Sequence, residues 1–337
     1  MDPEVSRQHL GSASKALSPA AMAAALELSG LRPTPDEWRR FTLQSMQGAG
    51  VLSLAAGMVF LVAFNWQQIG LYGRFAMVEV PMLLALAVAW IKGLDKLSGK
   101  LALMLAVMLT GALLALFGQT YQTGADVYEL FLGWAVLTLP WVIACRFSPC
   151  WALWLLLINL SALFYSGWSD HIGPFSWIFS SRLGLTAWAL PFVLNTFAYI
   201  GVEALLRSKA PGFEARWLGR GVMTAAMGFA TTNVVILIIE LWKADTPKLL
   251  TPLMFIAASV GLFAYAFWRR DELFPFAVLA LSWLVATTTI LSRAMIEAKS
   301  GIGGVLVVAV YIIVAAAGAA RGIAYLGGLW KVRETAA

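Results

Sequence analysis

The sequence predicts an all-helical, polytopic integral membrane bundle of about ten transmembrane helices, and three observations lead there. Of 337 residues, 60% are apolar and 12% charged, with a mean hydropathy of +0.78, whereas soluble domains are close to half apolar and a quarter charged. The apolar residues fall into ten runs, each near the roughly 20 residues a helix needs to cross a hydrocarbon core about 30 Å thick. The lysines and arginines gather in alternate connections between those runs.

Residues 1–47 read as a cytoplasmic N-terminal helical cap. They lack the basic-then-apolar order of a secretory signal, because the apolar stretch from Ala20 to Leu28 is short and mostly alanine. Ser18 and Pro19, followed by an Ala/Met/Leu run and Gly30, predict one capped helix. Thr34-Pro35-Asp36-Glu37 carries a capping-box pattern and predicts a second helix through Trp38 to Gln47, leading to the first span. Two helices and a turn suit a docking element. Arg39 and Arg40, close to the membrane, equally suit anionic headgroups.

The spans run approximately over 48–65, 75–91, 101–119, 126–144, 150–167, 185–206, 221–241, 250–268, 274–291 and 301–320. The second, fifth and ninth are short, which allows tilt, local thinning or a partly re-entrant path. Five spans fall in a membrane region over 48–170 and five in a C-terminal region over 171–337 that ends in a short tail.

Orientation follows from the positive-inside rule. With the N-terminus inside, the cytoplasmic segments hold 18 Lys and Arg, including Lys92, Lys96, Lys100, Arg146, Arg207, Lys209, Arg216 and Arg220. The opposite face holds 6: Arg74, Arg182, Lys243, Lys248, Arg293 and Lys299. Both termini are therefore expected in the cytoplasm, as an even number of spans requires. Trp66, Trp168, Trp177 and Trp242 fall at outer boundaries, and Trp38, Trp90, Trp151, Trp217, Trp268 and Trp330 at inner ones, as an aromatic belt would place them. Cys145 and Cys150 then face the reducing cytoplasm and are expected as free thiols, out of reach of an impermeant reagent on intact cells.

The composition excludes much. With two cysteines and two histidines, His9 and His171, neither a disulfide framework nor a Cys/His metal site can be built, and no metal or cofactor is expected. The net charge of +6 lies between apolar spans, so lipid is the expected partner and nucleic acid is not. A Walker loop, an HExxH helix and a GxSxG elbow are all missing. His171 beside Asp170 is the one acid/base pair placed on the outer face.

Three groups of polar residues remain as functional candidates. In the outer loop Gln119-Thr-Tyr121-Gln122-Thr-Gly124-Ala-Asp126, with Glu129 beyond it, amides, a phenol and carboxylates offer a binding surface without Lys or Arg. Asp126 and Glu129 also have the spacing of a helix cap, and both readings stand. The loop after the first span brings Asn65 and Trp66, with Glu79 about four residues inside the second span, where Arg74 or Arg182 can pair with it. Asn159, Asn195 and Asn233 lie near mid-depth in three consecutive spans, beside Thr231 and Thr232. They are either packing glue or a polar lining for a solute. Glu79, Glu129, Glu203 and Glu240 all lie near span ends, and Arg207 and Lys243 follow the last two at helical spacing. No ionisable residue marks a midplane relay, so coupled transport loses weight.

Gly48-Ala-Gly-Val-Leu through Ala63-Phe-Asn65-Trp66, then Gln119-x-Tyr121-Gln122 with Asp126, and Tyr128-Glu129-Leu130-Phe131-x-x-Trp134 through Pro140 form an ordered set. Over about residues 16–170 it resembles the bacterial predicted membrane proteins grouped as domain of unknown function 2157. The resemblance implies a multi-span inner-membrane protein with a helical cytoplasmic start, and a companion membrane protein bearing a Gly-Asp-Tyr motif. It brings no catalytic residue. The expected function is thus a non-catalytic inner-membrane component that associates with a partner membrane protein through outer loops and lateral helix faces. The alternative is a transporter or lipid-handling protein built on the amide layer.

Overall fold

The computed structural model describes residues 18–29, 33–167, 188–213, 216–240, 250–269 and 272–334. Among them every regular element is a helix: α1 (Pro19–Leu28), α2 (Pro35–Phe64), α3 (Leu71–Lys92), α4 (Leu97–Tyr121), α5 (Val127–Cys145), α6 (Ser148–Gly167), α7 (Ala189–Arg207), α8 (Arg216–Glu240), α9 (Leu250–Arg269), α10 (Phe274–Glu297) and α11 (Gly301–Glu334). All but α1 are long and apolar enough to cross a membrane. The chain is a multi-pass membrane protein.

The expected caps form. Ser18 Oγ accepts from the Ala21 amide at 3.3 Å, and Pro19 opens α1 without wasting a donor. Thr34 Oγ1 accepts from the Glu37 amide at 3.2 Å while Glu37 Oε2 accepts from the Thr34 amide at 2.8 Å. This second helix does not stop at Gln47. It continues to Phe64 as one rod of about 45 Å, longer than the hydrocarbon core, so its polar first turns project beyond the lipid. The three runs that looked short belong to α3, α6 and α10, of 22, 20 and 24 residues. Each keeps its helix through polar end residues that hydropathy leaves out, so none needs a re-entrant path.

Two compact units divide the chain, Met1–Leu109 and Thr110–Ala337, with the boundary inside α4. In the first, α2 buries only Ala55 and Val62, and α3 buries Val78, Ala85 and Ala89. In lipid such bare apolar faces carry no penalty, because acyl chains are as apolar as leucine.

The second unit packs more tightly. The hairpin of α5 and α6 is tied by Trp154 Nε1 donating to the Ala135 carbonyl at 2.9 Å and Ser161 Oγ donating to the Tyr128 carbonyl at 3.0 Å. Phe131 stacks on Phe164 at 5.5 Å. Trp134 lies so close to α4 that a Cβ on Gly111 would meet its ring at 2.4 Å. Helix α8 is central and packs against α7, α9 and α10. Its buried Leu218, Val222, Ala226, Ala230 and Val234 recur every fourth residue. Met227 joins Phe192, Phe255 and Leu279 from the three neighbouring helices in one cluster.

Two connections dock on each other. Arg146 closes α5 in the left-handed region (φ 46°), and Gly212, with φ 91°, lies against it. A Cβ on Gly212 would fall 2.6 Å from the Arg146 carbonyl carbon, so only glycine fits. Ser148 Oγ donates to the Gly212 carbonyl at 2.7 Å, and Trp151 packs on Phe213 at 5.1 Å. The α5–α6 turn and the α7–α8 connection therefore share one end of this unit. Cys145 and Cys150, which flank that turn, form no disulfide, are fully buried, and lie 3.2 Å apart at sulfur. Burial alone shields them from thiol reagents on either side.

Candidate functional site

In the amide layer two residues pair directly. Asn159 Nδ2 donates to Asn195 Oδ1 at 3.3 Å, and Asn195 Nδ2 returns a bond to Asn159 Oδ1. Each amide also donates to its own helix, Asn159 to the Leu155 carbonyl at 2.8 Å and Asn195 to the Pro191 carbonyl at 2.7 Å. Asn233 belongs to α8. It is buried, donates to the Phe229 carbonyl at 3.0 Å, and lines a cavity of about 10 Å³ with Thr251 and Phe255. That volume is about one water. Thr231 and Thr232 bond back to their own helix at Met227 and Gly228.

The two loops are largely self-satisfied. Asn65 is the C-cap of α2, its Nδ2 donating to the Leu61 carbonyl at 2.8 Å. The Arg74 guanidinium sits 4.0 Å above the Trp66 ring, and its Nε donates to the Ile69 carbonyl at 2.9 Å. Neither bond goes to Glu79. That residue is exposed on the side of α3, two positions before Pro81; Arg182, the other expected partner, lies outside the described residues. Gln119 is exposed in the last turns of α4, and Tyr121 ends it with its ring 4.7 Å from Phe117. Gln122 breaks the helix at φ 45°. Asp126 and Glu129 form a capping box on α5, the Asp126 amide donating to Glu129 Oε2 at 3.2 Å. Tyr128 donates to the other Glu129 oxygen at 3.4 Å. Asp170 and His171 lie outside the described residues, as do Trp168, Trp177, Trp242, Lys243 and Lys248.

One cavity is lined by charged residues that the sequence did not group together. About 400 Å³ opens where α7 and α9 end and α8 and α10 begin. Tyr265 donates to Glu203 Oε2 at 2.7 Å and accepts from Arg207 Nη2 at 2.8 Å, so the expected Glu203–Arg207 couple runs through a phenol from another helix. Opposite them, Glu272 accepts from Arg216 Nη1 and from Arg220 Nε, each at 2.8 Å. Burial pushes the Glu272 carboxyl up, but the hydrogen bonds and charge of Arg220 and Arg216 outweigh it and leave the group below its usual 4.5. Lys209 completes the lining. It stands at φ 53° just past the C-terminus of α7, with its amide bonded to the Leu206 carbonyl and that of Ala210 to the Leu205 carbonyl. This is a Schellman ending with lysine where glycine is usual.

In the sequence Lys209, Arg216 and Arg220 read only as topology signals, and Arg207 also as the neighbour of Glu203 at helical spacing. The pocket joins residues 62 apart, Glu203 and Tyr265. The signal that pointed to it was the clustering of these four cations around one short connection. Among the described residues no group of His, Cys, Asp and Glu is placed to hold a metal ion.

Residues 12–151 match the model of the family described as Predicted membrane protein (DUF2157). This agrees with the resemblance read from Asn65, Trp66, Gln119, Tyr121, Gln122 and Asp126, and it ends at α6. The basic cavity lies wholly beyond it. No curated protein and no solved structure matches the chain.

Proposed function

We propose that this membrane protein resides in the bacterial inner membrane with both termini in the cytoplasm, as a non-catalytic component that associates laterally with a second membrane protein. The observation that carries the reading is Glu79. Helix α3 begins at Leu71, so Glu79 lies about 12 Å along a helix of about 33 Å. Its neighbours Val80 and Leu83 are more than half exposed. A carboxylate facing lipid at that depth costs up to about 3 kcal/mol. A donor from a partner helix offsets that cost, and Arg74 is already held by Trp66 and Ile69.

The family resemblance supplies the occupant, a membrane protein bearing a Gly-Asp-Tyr motif. The orientation rests on the 18 to 6 split of Lys and Arg. The reciprocal Asn159–Asn195 pair supports packing over a solute path.

Co-purification of the full chain in mild detergent tests the association. The wild type is expected to retain one reproducible membrane-protein partner and Glu79→Leu to lose it while staying monodisperse. A lone monomer from the wild type overturns the reading. Reporter fusions at Ala337 test the orientation, with cytoplasmic activity expected and periplasmic activity contradicting it.

A further inference from the structure

We propose that the cavity at the joined ends of α7, α8, α9 and α10 binds a phosphate-bearing anion, presented by the headgroup of an anionic phospholipid. The inference does not depend on the lateral partner. It rests on a built site, with four cations and two carboxylates in the lining, an excess of two positive charges among the described residues.

The carboxylates are engaged in ways that fix the cations. Glu272 holds Arg216 and Arg220 side by side, taking one bond from each, and each guanidinium carries five N–H donors in a fork that matches phosphate oxygens. The Tyr265 hydroxyl stands between Glu203 and Arg207, so neither is neutralised by direct contact through that bond. Among the described residues no carboxylate pairs with the Lys209 ammonium. That lysine occupies a left-handed position that glycine would hold with less strain. Lys299 ends α10 in the same way, where a cation near the helix C-terminus suffices as explanation; only Lys209 adds a cavity.

Location selects a lipid over a free ion. The cavity opens at the ends of four spans, with Leu206, Met223 and Phe274 forming an apolar wall beside the charges. Trp268 is 88% exposed and Trp217 is 49% exposed, at the level where an aromatic belt meets headgroups. Basic pockets between transmembrane helices recognise anionic headgroups by this combination of charge and depth.

The test uses the purified full chain in detergent, titrated separately with phosphatidylglycerol, cardiolipin, zwitterionic phosphatidylcholine and inorganic phosphate, and read by native mass spectrometry and thermal unfolding. Phosphatidylglycerol or cardiolipin is expected to bind at least about tenfold more tightly than phosphatidylcholine. Arg207→Gln and Lys209→Gly are each expected to weaken that binding on the order of fivefold, whereas Lys92→Gln, distant in sequence, leaves it unchanged. Lys209→Gly separates binding from folding, because glycine relieves the left-handed backbone: its melting temperature should hold or rise while affinity falls. Equal binding of zwitterionic and anionic lipid, or undiminished binding by both variants, overturns the site. Inorganic phosphate binding as tightly as the lipids overturns the headgroup as the source.

Discussion

The α2–α3 hairpin and the α7–α10 cluster are built from helices of similar apolarity and are stabilised differently. The hairpin buries a few small or β-branched residues, Ala55, Val62, Val78, Ala85 and Ala89, and leaves Phe60, Phe64, Leu83 and Leu84 exposed. The cluster interdigitates Phe192, Met227, Phe255 and Leu279, pairs Arg216 and Arg220 with Glu272, and links Glu203 to Arg207 through Tyr265. Water exclusion drives neither, since lipid is as apolar as the core; packing and polar bonds decide. The cluster is thus self-sufficient. The hairpin, which falls in the stretch that matches the family, presents its surface to whatever surrounds it.

The comparison breaks most visibly at Gly212. An alanine there meets both an unfavourable φ and the Arg146 backbone, so Gly212→Ala should destabilise the second unit by about 3 kcal/mol. Thermal unfolding in detergent measures it, and an unchanged midpoint would mean the two connections do not dock. Next comes the amide pair. Asn195→Leu leaves Asn159 without its interhelical partner and should cost about 1–2 kcal/mol. The double change to leucine at 159 and 195 should cost less than the sum of the single changes; strict additivity would refute the pairing.

Smaller still is the pH dependence at Glu272. Its carboxyl is held below the usual 4.5 when folded, so its stabilising contribution is present above that value and is lost as pH falls through the folded pKa. Unfolding of the wild type and of Glu272→Gln should therefore differ at pH 7 and converge in acid; a gap that does not narrow as the pH is lowered below 4.5 would contradict the clamp. Smallest is Glu79→Leu, which should leave the chain's own melting nearly unchanged, because the hairpin uses that carboxylate in no described bond. A large loss of stability would assign Glu79 an internal role.

The local features were legible in the sequence because they are made by residues a few positions apart. Ser18, the Thr34–Glu37 box and the Asp126–Glu129 box all cap helices as their spacing predicts. Ten apolar runs became ten helices for the same reason. Hydropathy marks hydrocarbon and not backbone bonding, so the helices outrun the apolar runs: α2 joins the helix predicted from Pro35 to the run near 48, and α3 begins at Leu71, ahead of the run near 75. Depth can be counted along a chain, but pairing depends on how helices rotate against each other, so the bond between Asn159 and Asn195 had no local sequence signal. Tyr265 and Glu272 gave no local signal. Their chemistry arises only when four helix ends converge.

The most direct measurement is a photo-crosslinking amino acid at Leu83, one turn beyond Glu79 on the exposed face of α3, irradiated in native membranes. The account predicts one discrete adduct with a second membrane protein, lost when Glu79 is changed to leucine. Labelling of lipid alone, or adducts indifferent to Glu79, would contradict it.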